Sequence, residues 1–159
     1  MSLLSNLFAR GGPVLSEASA RDAAAFTALH GQSFRRGWDL QEVEGLLLDQ
    51  HVVAQRAMSG SKLSGFILSR LIEGEAEILS VAVARTSQGR GLGRCLLELH
   101  LRRLAGLGAR AVFLEVDEHN KPAIKLYGRA GFQEVARRPN YYPLSGGRSA
   151  TALVLRRDL

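Results

Sequence analysis

The sequence is poor in the residues that build crosslinks, metal centres and membrane spans. It holds one cysteine, Cys95, among 159 residues, so no intramolecular disulfide can form. Cys95 falls on the apolar side of a predicted helix, where a packed thiol is the default interpretation. Cysteine and histidine do not cluster at the spacing of metal ligands, and no apolar run approaches the ~20 residues that cross a bilayer. No metal and no membrane partner are therefore predicted, and the expected compartment is the cytoplasm.

Aromatic residues are also scarce, at 6% of the chain. No aromatic-rich platform accompanies the arginines, so direct sequence-specific binding of nucleic acid is disfavoured. The net charge is +6 and the sequence pI is near 10.2. Such a surface favours anionic partners, namely a phosphorylated cofactor, an acidic peptide or RNA in a ribonucleoprotein. A solvated basic surface without any such partner is the alternative, and charge alone does not choose between them.

The length and the 46% apolar content indicate one globular domain with one core. Residues 1–12 lack a basic leader and a long apolar stretch, so they are predicted to be an arm before a single domain over residues 13–159. Sequence patterns predict the element order βααβββαβαββ, which describes an α/β fold with a mixed sheet and helices on both faces. Three strands between residues 51 and 84 are expected to form an antiparallel meander.

Local signals predict where the helices begin and end. Ser19 and Asp39 are predicted N-caps of the first two helices, and Gly31 is the predicted stop of the first. Trp38, the single tryptophan, either staples the loop between these helices to the core or lines a substrate groove. Residues 139–148 are predicted to be a loop that links the last two strands.

A glycine-rich segment, residues 88–94, joins an apolar strand to a predicted helix. Such a turn leaves backbone N–H groups unpaired at the helix start, and these donors suit a phosphate or pyrophosphate. Gly91 and Gly93 let a ligand approach the backbone, while Arg90 and Arg94 add positive charge. The segment is not a Walker loop, and its glycine spacing differs from the dinucleotide fingerprint. A tight strand–helix turn without a ligand is the alternative.

Two further side chains are candidates for chemistry. Glu115 lies in an otherwise apolar strand and shares a face with Phe113. A carboxylate in such surroundings suits a general base, although a solvent-exposed strand end or a structural partner for an arginine explains it as well. Tyr127 lies on the next predicted helix, where its phenol could protonate a departing anion or simply pack. Asn120 could cap that helix, hold a ligand amide, or do both.

These residues fall in patterns that resemble the GCN5-related N-acetyltransferase (GNAT) superfamily. Its acetyl-coenzyme A motif resembles Val81-Ala82-Val83 followed by Gln88-x-x-Gly91-x-Gly93. Its second cofactor motif is similar to Glu115-Val116, Asn120, Ala123-Ile124-x-Leu126-Tyr127 and Gly131-Phe132. With Arg138-x-Asn140-Tyr141-Tyr142-Pro143 added, the pattern resembles the ribosomal-protein-alanine N-acetyltransferase branch.

The resemblance implies the fold, the cofactor and the site. The fold would be a mostly antiparallel sheet with a splayed parallel strand pair that ends near Val83 and Val116, and acetyl-coenzyme A would lie between those strands. An amine would attack the thioester directly, with Glu115 as general base acting through water and Tyr127 as general acid that protonates the leaving thiolate. The implied cofactor-binding residues are Val81, Ala82, Val83, Gly89, Arg90, Gly91, Leu92, Gly93, Arg94 and Asn120.

The implied acceptor is a protein N-terminal α-amine, and the branch suggests alanine of a small ribosomal protein. Three positions depart from the family pattern. Ser80 stands where asparagine is common, Ala84-Arg85 replaces Asp-Pro, and Asp117 replaces an arginine that this branch often has. A small-molecule amine or a lysine side chain is the alternative acceptor, and a non-catalytic acyl-coenzyme A-binding module is the alternative to an enzyme. The protein is expected to be a monomer or a homodimer.

Overall fold

The computed structural model describes residues 11–159, apart from the side chain of Pro143. Most of the predicted arm, residues 1–12, therefore lies outside the described residues. Seven strands and four α-helices follow the predicted order. They are β1 Val14–Glu17, α1 Ala23–Ser33, α2 Leu40–Leu48, β2 Val52–Ser59, β3 Lys62–Ile72, β4 Glu75–Val83, α3 Leu92–Gly106, β5 Ala111–Asp117, α4 Lys121–Arg129, β6 Gln133–Pro143 and β7 Ser149–Asp158.

All seven strands form one mixed sheet in the order β1-β2-β3-β4-β5-β7-β6. The predicted meander is confirmed, because β2, β3 and β4 pair antiparallel in succession. The pairing of β4 with β5 is parallel, since the chain crosses over through α3 between them. The predicted mixed sheet is therefore confirmed, and the β4–β5 pair lies at its centre.

Helices cover both faces of this sheet, as predicted. One core cluster joins the sheet to α3 and α4 through side chains such as Leu97 and Val112. A second cluster joins the other face to α1 and α2 and includes Phe26, Val43 and Phe66. We call these the α3 face and the α1 face. Within residues 11–159, no helix combines the length and apolar character that crossing a bilayer would require.

Both predicted N-caps are confirmed. Ser19 caps a short 3₁₀ turn that leads into α1, and its capping box uses Asp22. Asp39 caps α2 through a capping box with Glu42, whose backbone N–H lies 2.8 Å from Asp39 Oδ1. These caps satisfy backbone donors that the start of a helix otherwise leaves unpaired.

Two predicted boundaries are wrong. Gly31 does not stop α1, which continues to Ser33. The close approach at this point requires the glycine at position 37, because a Cβ on Gly37 would lie only 2.9 Å from the Cα of Gly31, whereas a Cβ on Gly31 would meet nothing within 4 Å. Residues 139–148 are not all loop, because β6 continues to Pro143 past an irregularity between Arg138 and Tyr142. Asn140 takes a φ of 57° in this irregularity, and such a bulge tolerates the adjacent proline within a strand.

Candidate functional site

The two central parallel strands are ladder partners only where they begin. Glu75, Ala76 and Glu77 of β4 pair with the first residues of β5, from Ala111 to Phe113. Among the described residues, no ladder pair joins the two strands beyond that point. Because β4 continues to Val83 and β5 to Asp117, the strands part and leave a cleft. The splayed pair that the resemblance implied is therefore present.

The glycine-rich segment lies at the end of β4 and leads into α3. Gly89 has a φ of 76° and Gly91 a φ of 80°, a left-handed conformation that favours glycine. Gly91 is the N-cap of α3 and, in the described part of the chain, no side chain caps that helix start. This contrasts with Asp39, which caps α2. The first-turn N–H groups and the positive end of the α3 dipole therefore face the loop, where they suit an anion.

A concavity of about 410 Å³ opens on the α3 face between this loop and α4. It brings together seven of the predicted site residues, which line it with parts of the loop and of α4. These seven are Val81, Val83, Gly89, Gly91, Leu92, Gly93 and Tyr127. Gly93 lies between strand and helix, because a Cβ there would be 3.7 Å from Val83 Cγ2 and 3.8 Å from Leu126 Cδ2.

Tyr127 is the titratable side chain of this concavity. It is 8% exposed, and its ring packs edge-on against Phe132 with the ring centroids 5.7 Å apart. Burial raises the pKa of Tyr127 to about 12, because a phenolate would lose its hydration there. The phenol is therefore protonated at neutral pH, the state in which it can donate a proton.

A second concavity, of about 670 Å³, lies on the opposite face of the sheet and is bordered by Glu115 and Phe113. Glu115 lies on this α1 face because Leu114 and Val116, its neighbours along β5, point into the α3-side core. Its Oε1 accepts a hydrogen bond from Arg138 Nη1 at 2.6 Å. The Glu115 side chain is 25% exposed and that of Arg138 is 53% exposed. The carboxylate therefore has an arginine partner and also remains accessible from the concavity.

The two concavities lie on opposite faces of the sheet, and the larger one covers mainly the paired starts of β4 and β5 and reaches the open part at Glu115. Tyr127 borders one of them and Glu115 borders the other. A ligand that passes between β4 and β5 could contact groups on both faces. Such an arrangement can bring a donor from the α3 face and an acceptor from the α1 face to one reacting centre.

The other predicted cofactor residues do not line the α3-side concavity. Ala82 is buried on the α1 face. Arg90 and Arg94 are exposed, and Arg94 Nε lies 3.1 Å from Glu98 Oε1. Asn120 caps α4, as predicted, by accepting the N–H of Ala123 on Oδ1 at 3.3 Å.

Other side chains near the site resolve interpretations left open by the sequence. Gln88 Nε2 donates to the carbonyl of Val83 at 3.0 Å, which ties the loop to the end of β4. The backbone N–H of Trp38 donates to His30 Nδ1 at 3.0 Å, and the two rings stack with their centroids 4.1 Å apart. Trp38 therefore staples its loop to the core. Cys95 is fully buried, and burial raises the pKa of its thiol, so the predicted packed thiol is confirmed.

No local pattern in the sequence indicates which residue is the partner of Glu115. Arg138 reaches it from β6 across β7, and its guanidinium also lies 4.2 Å from the ring centre of Tyr141. Tyr141 in turn packs edge-on against Tyr142, at 5.2 Å between ring centroids. Burial raises the pKa of Tyr142, and the nearby charge of Glu115 acts in the same direction. The two tyrosines therefore border Glu115. Predicting this from the sequence would have required the pairing register of β6 with β7.

Comparison with known proteins gives concordant results. A model of the acetyltransferase (GNAT) family matches residues 22–132. The ribosomal protein bS18-alanine N-acetyltransferase of Escherichia coli strain K12 is 39% identical over 87 residues, which are 55% of this chain and 59% of that protein. The chain thus spans less than two thirds of the length of this relative.

Solved structures extend the similarity over most of the chain. The crystal structure of the ribosomal-protein-S18-alanine N-acetyltransferase from Escherichia coli superposes with a TM-score of 0.86 and 26% identity, covering 92% of this chain and 93% of that one. Arabidopsis thaliana NAA60 in complex with acetyl-CoA gives a TM-score of 0.81 at 20% identity, covering 92% of this chain and 98% of that one. The second similarity supports the fold alone.

Proposed function

The chain belongs to the acetyltransferase (GNAT) family, and from this premise we propose that it transfers an acetyl group from acetyl-coenzyme A to the α-amine at a protein N-terminus. The single observation that carries the proposal is the splayed β4–β5 pair, which has a glycine-lined concavity on one face and an accessible glutamate on the other.

The residues present fit acetyl-coenzyme A. The uncapped start of α3 offers main-chain donors for a pyrophosphate, and Gly89 and Gly91 leave room for it beside the backbone. Arg90 and Arg94 add exposed positive charge at the same end. Val81 and Val83 border the concavity where a pantetheine chain would follow β4. Asn120 would contact that chain from the start of α4. When bound, acetyl-coenzyme A supplies an activated thioester carbonyl.

Tyr127 would serve as the general acid. Its phenol is protonated at neutral pH, as any tyrosine is, and burial favours that form further by raising its pKa to about 12. It lies in the concavity that also holds Val83 and the glycine loop. A donor there can deliver its proton to a thiolate as that thiolate leaves. Cys95 has no role in this scheme, since it is buried in the core and direct transfer needs no enzyme nucleophile.

Glu115 would serve as the general base. An α-amine has an ordinary pKa of about 8, so most of it must lose a proton before it attacks near neutral pH. Glu115 borders the concavity on the α1 face, opposite Tyr127. The acid and the base therefore approach the cleft from different sides. This separation lets one group take a proton from the acceptor while the other gives a proton to the leaving group.

For the acceptor, we propose an N-terminal alanine of a small ribosomal protein. The support is the Escherichia coli relative, whose name gives bS18 alanine as its target, together with 33% identity over 100 residues to the Haemophilus influenzae protein of the same name. Asp117 changes the charge close to Glu115, and its carboxylate accepts the His119 N–H at 2.8 Å. We therefore expect this chain to differ from those relatives in its preference for acceptor residues after the first.

The test is thiol release from acetyl-coenzyme A in the presence of peptides that begin with Ala, Ser or Met, with polyamines and free lysine as competitors. We expect turnover with the Ala peptide to exceed turnover with the small amines. No turnover with any amine, despite binding of the cofactor, would reject the enzymatic function. Preference for a small amine would reject the N-terminal acceptor while keeping the enzyme.

The roles of the two site residues need separate variants. Glu115→Gln is expected to lower kcat by about a hundredfold, the usual scale for loss of a general base. Glu44→Gln is the matched control, because Glu44 is an exposed carboxylate on α2, and it should keep wild-type turnover. An active Glu115→Gln enzyme would remove Glu115 from the proposed mechanism.

A further inference from the structure

One buried hydroxyl in the sheet has no hydrogen-bond partner. Ser80 is 6% exposed, and its Oγ is the single side-chain polar atom in the described residues that is buried without a partner. Other buried serines are paired, such as Ser69, whose Oγ lies 2.6 Å from His100 Nε2. Buried polar groups in native proteins are almost always paired, and an unpaired one costs stability. Ser80 therefore requires an explanation other than packing.

The position of Ser80 results from a bulge in β4. Leu68 of β3 pairs with Ser80, but the next residue, Ser69, pairs with Ile78, so Leu79 is the extra residue. Regular alternation from Glu77 would direct residue 80 to the opposite face. The bulge reverses this and places Ser80 on the same face as Glu77. Bulges that redirect one side chain in this way are frequent beside active sites.

The same bulge brings Ser80 level with Glu115. Glu77 is the last β4 residue that pairs with β5, and its partner is Phe113. From this pair, Ile78 of β4 is level with Leu114 of β5. Because Leu79 is the extra residue of the bulge, Ser80 is then level with Glu115. Glu115 shares the α1 face with Phe113, so the two polar side chains border the splay from opposite strands on one face. The β4–β5 ladder ends at Glu77, so no ladder pair joins the two strands at this level.

We infer that Ser80 is a positioning residue whose hydroxyl holds the water through which Glu115 takes the proton of the acceptor amine. The inference rests on the proposed function. The amine proton passes to the water, and a water proton passes to the Glu115 carboxylate, so the water is regenerated. Ser80 Oγ contributes a hydrogen bond and neither gains nor loses a proton. Arg138 occupies Glu115 Oε1, and we assign the second carboxylate oxygen to the relay.

A water bound between Ser80 and Glu115 would have the polar partners that such a site requires. An ordered water needs two or more polar partners and a small polar space. Ser80 supplies one partner and Glu115 supplies another. A water that bridges two protein groups is nearly as favourable as a direct hydrogen bond. The hydroxyl that is unsatisfied within the protein would then have its partner.

The test compares Ser80→Ala with Ser69→Ala, a buried serine whose partner is known. We expect Ser80→Ala to lower kcat about tenfold and to leave the KM for acetyl-coenzyme A within twofold of wild type. Its unfolding midpoint should stay at or above that of wild type, because an unpaired hydroxyl has been removed. Ser69→Ala should show the converse, a lower midpoint with kcat nearly unchanged.

Ser80→Thr retains the hydroxyl and should recover most of the lost turnover. The inference is overturned if Ser80→Ala turns over like wild type, or if its turnover falls only in proportion to a lower folded fraction. It is also overturned if Ser80→Thr is as slow as Ser80→Ala while remaining folded. Wild-type enzyme that acetylates no amine would reject the proposed function itself, a result distinct from an active enzyme indifferent to Ser80.

Discussion

His100 gives the most quantitative prediction, because it is a titratable group buried completely beneath the sheet. Its Nδ1 lies 3.0 Å from Gln55 Oε1, and its Nε2 lies 2.6 Å from Ser69 Oγ. Because the amide oxygen can only accept, the ring proton sits on Nδ1 and the serine hydroxyl donates to Nε2. Neither partner titrates, and burial lowers the pKa of His100 to about 4.

This shift makes stability depend on pH in a defined direction. Above pH 6.5, the ordinary value, His100 is neutral in both the folded and the unfolded chain, and its full contribution to stability is present. As the pH falls from 6.5 toward 4, His100 becomes protonated in the unfolded chain but stays neutral in the folded chain, so the free energy of unfolding falls. At about 1.4 kcal/mol per pH unit, the loss from this one residue approaches about 3 kcal/mol.

The assay is urea unfolding of wild type and His100→Gln between pH 8 and pH 4. Glutamine keeps an amide in the network but does not titrate. The advantage of wild type over the variant should be constant above pH 7 and should shrink by about 3 kcal/mol by pH 4. Taking the difference cancels the carboxylates and His30, whose pKa burial also lowers. Curves for the two proteins that stay parallel down to pH 4 would refute the argument.

Three further outcomes are expected at the site. Tyr127→Phe should lower kcat by about a hundredfold with acetyl-coenzyme A affinity nearly unchanged, as steady-state kinetics and calorimetry can measure. Gly89→Ala should lower the free energy of unfolding by about 1 kcal/mol, because its φ is 76°, and should also weaken acetyl-coenzyme A binding. The control is Gly60→Ala, whose φ is 61° in a distant hairpin and which should share only the destabilisation. Equal affinities for acetyl-coenzyme A in the two variants would argue against pyrophosphate at the loop. Arg138→Gln should lower kcat severalfold, because Glu115 loses the guanidinium that holds its Oε1, and an unchanged kcat would separate the ion pair from catalysis.

Most of the fold could be predicted from local sequence patterns. The capping boxes of Ser19 and Asp39, the turns of the meander and the cap of Asn120 are each made within a few residues. Such contacts are visible in a sequence because both partners lie side by side in it. Gly31 misled because α1 continues past it to Ser33, and a side chain at that position would meet open space, so this glycine marks no boundary.

Long-range geometry of the site was less visible. Glu115 stood out as a carboxylate in an apolar strand, but its partner Arg138 lies 23 residues away on β6. The bulge at Leu79 has no glycine or proline to mark it, so the α1-face position of Ser80 could not be predicted. Both features follow from strand register, which is fixed by packing of the whole sheet rather than by any one segment.

Because the β4–β5 ladder ends early, a ligand bound between these strands should also increase the stability of the sheet. Past Glu77, two adjoining strands in the middle of the protein are held together by side-chain packing rather than by main-chain bonds. A linear molecule threaded along this gap would act as a surrogate strand, engaging peptide groups that the fold itself leaves unengaged; Gln88 already does so for one carbonyl. Amide hydrogens along the far half of β5 should therefore exchange more slowly once the gap is filled, and the two halves of the sheet should then unfold as one unit.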